Sequence, residues 1–221
     1  MHKTLFFSIV FILSLSVKGQ VYLSDPLSGK PYFARTYDDI RGSAYLFEDW
    51  KPSYVTDKHG TTFLNVMIRF DVYANNFFYN HGDTAYEFVT IISEIELFPF
   101  SGDTTTKMIF KKGFTDNDKL SPDKFVQVLT EGKITAVKYI YKTLDETTEY
   151  NVPGKIKSFT NRMTYLFIKD DSTTSQRPSS KLLEELLKDK WSVVEPYMKQ
   201  KSLSPKNEDD CIKIINYYNS L

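Results

Sequence analysis

Cysteine is almost missing from this chain: Cys211 is the only one among 221 residues. No intramolecular disulfide can form, and no cysteine-rich zinc site can be assembled. Histidine is scarce too, with three residues, and His59 and His81 each precede a glycine in an apparent turn. No two histidines stand at helical spacing, so both read as turn residues and no metal is expected. Charge of one sign is also absent, with 28 basic against 28 acidic side chains. That balance gives no footprint for nucleic acid and no polybasic signal for an anionic membrane surface. Beyond Val17 no apolar run is long enough to span a bilayer. There is no Gly-x-Ser-x-Gly elbow and no glycine-rich phosphate loop, so no cofactor is expected.

What is present begins with a leader. Met1, His2 and Lys3 precede the apolar run LFFSIVFILSLSV, and Val17 and Gly19 occupy the −3 and −1 positions of a small-residue cleavage site. This pattern predicts a secretory signal peptide over 1–19, cleaved after Gly19. The mature chain is then secreted or periplasmic and has no integral membrane span. Its single cysteine means that an apolar core must hold the fold alone. The 41% of hydrophobic residues can supply one.

Residues 20–170 read as an antiparallel β domain. TFLNVMIRFD (62–71) alternates, which predicts Leu64, Val66, Ile68 and Phe70 on one face. EIELFPF (94–100), TKMIFKK (106–112), FVQVL (125–129), ITAVKYIYK (134–142) and NRMTYLFIK (161–169) have similar β-rich character. Turn signals separate them, among them His59-Gly60, Asn75-Asn76, Glu131-Gly132 and Pro153-Gly154. Short strands with no helical pattern between them predict a meander forming a half-barrel, a barrel or a sandwich. Periodicity does not choose among the three.

The tail differs. A polar linker over 171–180 leads into a small helical unit over 181–221, expected to dock on the β domain. Ser179 or Ser180 can cap a helix whose stripe is Leu182, Leu183, Leu186 and Leu187. Trp191, Val194 and Met198 mark a second helix that starts near Pro196 or kinks there. Ser204 as N-cap, Pro205 at the first helical position and the acids Glu208, Asp209 and Asp210 announce a third, with Ile212, Ile215 and Tyr218 facing inward.

DDIRGSAYLFEDW (38–50), RFDVYANNFFY (69–79), FVQVLTEGK (125–133) and KSLSPKNEDDCIKIINYYN (201–219) together resemble a group of secreted Bacteroidota proteins of unknown function. The resemblance covers nearly all of the mature chain. It implies a β-rich body followed by C-terminal helices, and it carries over no catalytic residue.

YDDIRGSAYLFEDW (37–50) concentrates Asp38, Asp39, Glu48 and Asp49. Adjacent strand residues point to opposite faces, so neither doublet aims both carboxylates at one substrate. The stretch reads as a fold signature, with Asp39, Arg41, Gly42 and Trp50 at its centre and Gly42 turning the chain into a strand. DNDK (116–119) offers oxygen donors but lacks the remainder of an EF-hand loop, so it reads as a solvated turn. Cys211 lies in a predicted helix as a small buried hydrophobe. Function is least legible. The leading expectation is an exported, non-catalytic module that recognises a protein or envelope component. The alternative is a carrier or sensor of a lipid-like apolar ligand, enclosed by Phe77, Phe78, Phe88, Phe98 and Phe110, with Phe100 and Phe114 beside them. A hydrolase using dispersed carboxylates ranks third.

Overall fold

The structure, a computed structural model, describes residues 29–31, 37–82, 84–100, 102–116, 120–150 and 154–221. The leader with its cleavage site, Asn117–Lys119 of the 116–119 stretch, and Pro153 lie outside the described residues. The strands are β1 (Gly29–Pro31), β2 (Ile40–Arg41), β3 (Lys51–Asp57), β4 (Thr62–Asp71), β5 (Asn76–His81) and β6 (Thr84–Phe88). They continue with β7 (Ile92–Leu97), β8 (Met108–Lys111), β9 (Val126–Thr130), β10 (Ile134–Thr147), β11 (Ile156–Lys169) and β12 (Ser172–Ser175). Three helices follow: α1 (Ser180–Leu186), α2 (Trp191–Gln200) and α3 (Glu208–Ser220).

All twelve strands form one sheet in the order β1-β6-β5-β4-β3-β7-β8-β9-β10-β11-β12, with β2 pairing β11 off the main path. Among the described residues every pairing is antiparallel except β2 with β11, so the sheet is mixed, and no pairing closes it into a barrel. It is nevertheless strongly curled. The strands β6 and β7 stand four places apart in the sheet, yet only residues 89–91 join them. Laid flat, four strand spacings would separate them by roughly 19 Å. Four residue steps reach at most about 14 Å. The rings of Phe70 on β4 and Phe110 on β8, three places apart, likewise approach to 5.2 Å. The Asn75 side chain fastens one end of the curl, donating to Phe125 O (3.0 Å) and accepting from Phe125 N (2.8 Å).

The concave face holds two cores. Inside the curl, Val55, Ile68, Phe70, Phe77, Ile95 and Phe110 are fully buried, and Phe70 and Phe77 stack at 4.1 Å. On the neighbouring part of the same sheet, Ile134, Ala136, Tyr165 and Phe167 receive the helices through Leu182, Leu183, Leu187, Val194, Ile214 and Ile215. A smaller cluster on the opposite face joins Leu120, Val126, Val128, Val137 and Leu166, with Phe114 against it.

Several local expectations shift. Leu64 does not share a face with Val66, Ile68 and Phe70. Two steps on β3 (Ser53 to Val55) match three on β4 (Val66 to Phe63), and Asn65 takes a left-handed φ of 56°. This β-bulge turns Phe63 inward and leaves Leu64 62% exposed. The expected linker contains β12, joined to β11 through Asp170 and Asp171, both with positive φ (47° and 61°). Those angles suit a two-residue hairpin turn whose twist matches the strands. In the tail, Ser179 caps α1, accepting from Leu182 N. The cap of α3 is Asn207 rather than Ser204, because the Asn207 side chain accepts from Asp210 N at 3.0 Å. All three acids then sit in the first turn, where the helix dipole favours them. The inward stripe of α3 is Cys211, Ile214, Ile215 and Tyr218, and Ile212 is only half-buried. Pro196 lies inside α2 at an exposed position. The Ser192 carbonyl it leaves without a helical donor can turn to water.

Candidate functional site

The 37–50 stretch crosses from one part of the sheet to another. Ile40 and Arg41 pair with Lys157 and Ser158 of β11, and Arg41 bridges Glu149 at 2.6 Å on the surface. Gly42 (φ 85°) then turns the chain past Phe159, a conformation that an L side chain disfavours. Ala44 and Leu46 reach the end of β4, where Leu46 N donates to Phe70 O and Val72 N to Ala44 O. The Arg69 guanidinium lies between the rings of Tyr45 (4.9 Å) and Trp50 (4.6 Å). Tyr37 donates to the buried Asp71 carboxylate at 3.0 Å and packs edge-on against Phe159. Asp38, Asp39 and Glu48 are exposed, and Asp49 is bonded to Lys51 at 2.9 Å. Among the described residues no three His, Cys, Asp or Glu side chains gather where a metal could be held.

The phenylalanines divide. Phe77 and Phe110 pack on each other at 5.3 Å inside the curl, and Phe88 lies half-buried against Tyr79 at 4.8 Å. Phe78 is buried, as is Phe98, which meets the Tyr54 ring edge-on at 4.9 Å. Phe100 is 61% exposed. Phe77 and Phe88 do line a cleft of about 190 Å³ at the mouth of the curl, with Val89, Ile91, Phe125 and Lys112. The residue Lys112 is exposed overall, but its ammonium lies 4.3 Å over the Phe125 ring, and that desolvation lowers its pKa.

A larger cleft, of about 300 Å³, lies on the concave face between the crossing segment and the helices. Its floor is β10 and β11. The register pairs Lys138 with Tyr165, Ile140 with Met163 and Lys142 with Asn161 on that face. Leu46 and Met108 wall one side. The Lys142 ammonium donates to Ser43 O (2.6 Å) and Tyr45 O (2.8 Å), tying the crossing segment to β10. Burial lowers the Lys142 pKa, against the opposing fields of Glu48 and Asp71. An ammonium carries three donors, so one remains for an acceptor entering the cleft. At the helical end Lys138 bridges Glu208 at 2.6 Å, and Tyr165 donates its hydroxyl to the other Glu208 oxygen. Burial first, then this bond, raises the Tyr165 pKa. Glu208 is thus held by two charge-assisted bonds, and the cleft presents hydrogen-bond donors and apolar surface rather than an unengaged base.

Sequence reasoning did not single out Lys138 and Lys142. The signal was in ITAVKYIYK, where two lysines share the strand face of Ile134, Ala136 and Ile140, a face otherwise turned inward.

No protein-family model matches this chain, and neither does any curated protein or solved structure. Among the described residues, no helix is long and apolar enough to cross a membrane.

Proposed function

We propose that the chain is an exported, non-catalytic binding module that recognises a protein or envelope component, with its leader cleaved after Gly19. The observation that carries this reading is the concave cleft floored by β10 and β11. It joins the Lys142 ammonium, which has an N–H to spare, to apolar surface from Ile140, Met108 and Met163. Sites of this kind, mostly apolar with a few placed polar groups, suit binding. The neighbouring titratable groups are engaged in holding α3 to the sheet. The resemblance to secreted Bacteroidota proteins, seen in the 38–50 and 201–219 stretches among others, agrees with an exported role.

Carriage of an apolar ligand is the second reading, favoured by the cleft beside Phe77 and Phe88. Its volume of about 190 Å³ falls below that of most small-molecule sites. Native mass spectrometry of the protein purified from its own envelope separates the two. The recognition reading expects the bare chain mass under gentle and denaturing conditions alike. A reproducible extra mass lost on denaturation replaces it with the carrier reading and identifies the ligand class.

A further inference from the structure

Among the described residues, the outer edge of β11 is paired at its two ends and unpaired in the middle. At one end β2 pairs with Lys157 and Ser158; at the other, β12 pairs with Leu166 to Lys169. Gly42 lies against Phe159, and among the described residues no strand pairs with 160–164 on that side, a gap of roughly 16 Å at strand rise. The direction of the backbone groups follows from the last bond before the gap. Tyr165 O accepts from Gln176 N at 3.1 Å, so Tyr165 turns its polar groups to the outer edge. The β10–β11 register runs without a shift, and alternation therefore sends the N–H and C=O of Met163 and Asn161 to the same edge. An edge of this kind is a template for pairing with another strand, and folded proteins ordinarily cover it.

The surroundings of the gap favour one kind of strand. The side chains of Asn161 and Met163 face the larger cleft, and Met163 also borders a second, of about 240 Å³, lined by Tyr165, Arg177, Pro178, Lys206 and Glu208. Met163 is 46% exposed where the two meet. Among the described residues no carboxylate lies within ion-pair distance of Lys142, Arg177 or Lys206, and Glu208 is occupied by Lys138 and Tyr165. The groove therefore carries cations without an ion-pair partner at its two ends, Lys142 (within the fields of Glu48 and Asp71) and Arg177 with Lys206, on either side of an apolar centre.

We propose that an extended, acidic segment of a partner protein adds to the sheet at residues 160–164. Its backbone pairs with Asn161 and Met163. Alternate side chains enter the concave cleft, an acidic one reaching Lys142 and an apolar one covering Met163 and Ile140. Main-chain pairing supplies affinity in this mode and the side-chain clefts supply selectivity. The inference rests on the recognition reading and names the chemistry of the partner.

The test titrates the isotope-labelled protein with the peptide acetyl-Thr-Glu-Thr-Val-Thr-Val-amide and follows backbone amide resonances. Strand addition expects shifts at Asn161 and Met163. It also expects affinity to fall about tenfold or more when alternate peptide nitrogens are methylated, and again when lysine replaces glutamate. Equal binding of the methylated peptide overturns strand addition in favour of side-chain capture. No shift at Asn161 and Met163 at millimolar peptide overturns it as well. Both outcomes leave the recognition reading standing, which is judged separately by the native mass measurement.

Discussion

Two residues show how single positions hold the helical unit in place. The Asn219 side chain reads the backbone of Ile134 from both sides, accepting from its N–H and donating to its carbonyl, each at 2.9 Å. Gly132 leaves the space for that hook: a β-carbon there would lie 2.6 Å from the Asn219 amide nitrogen. Replacing Asn219 by Ala should destabilise the protein by about 1–3 kcal/mol in denaturant titration, because the Ile134 groups lose a buried partner. Gly132→Ala should act in the same direction by expelling the hook. Cys211 gives a chemical reporter of the same docking. It is 2% exposed, and burial, followed by the Glu208 charge, pushes its pKa up to about 12 from an ordinary 9.0. An unfolded thiol ionises before the folded one. The stability tied to Cys211 is therefore complete below about pH 9 and declines as pH rises toward 12. At pH 8 the native thiol should resist a disulfide reagent such as Ellman's that reacts at once with the unfolded chain, and immediate reaction of the native protein would refute the docking. The buried position of Cys211 was legible in the sequence from its place in a helical pattern. Asn219 was not, since its partner is 85 residues away in the chain and nothing local marks it.

Among the elements, the β10–β11 hairpin matters most, because both concave cores use it. Ile140 packs against the interior of the curl, while Ile134, Ala136, Tyr165 and Phe167 receive the helices. Leu183 on α1 is fully buried in the second core, so Leu183→Ala should cost about 2–5 kcal/mol, read from the denaturation midpoint at unchanged slope. The central parts of the two strands were legible as alternating β-rich runs. Their far halves, Thr143–Thr147 and Ile156–Thr160, were not, because polar and half-exposed residues there leave no contrast between faces. A similar loss of contrast hid β12, whose four residues are serine and threonine. The bulge at Asn65 was invisible for another reason: the strand alternates well by composition, and the inserted residue is set by pairing with β3.

Across the whole molecule, the shared hairpin should make the β body and the helices unfold together. Trp50 reports on the crossing segment over the sheet, and Trp191 packs in the helical core. Helical circular dichroism and tryptophan fluorescence should therefore give coincident denaturation curves. An early loss of helix alone would show that the second core is not coupled to the first. At this scale, the β-rich body with a helical tail was legible from strand spacing and turn residues. The choice of an open, curled sheet was not, because curl depends on contacts such as Phe70 with Phe110 between distant strands. The cleft stayed hidden as well, since it is assembled from the crossing segment, β8, β10 and β11. Its role is most directly tested by placing a photo-crosslinking residue at position 163, with position 64 on an exposed part of β4 as the control. Recognition through the concave cleft predicts a discrete adduct in the cells that make the protein from position 163 and none from position 64. No adduct from position 163, or the same adduct from both, would contradict it.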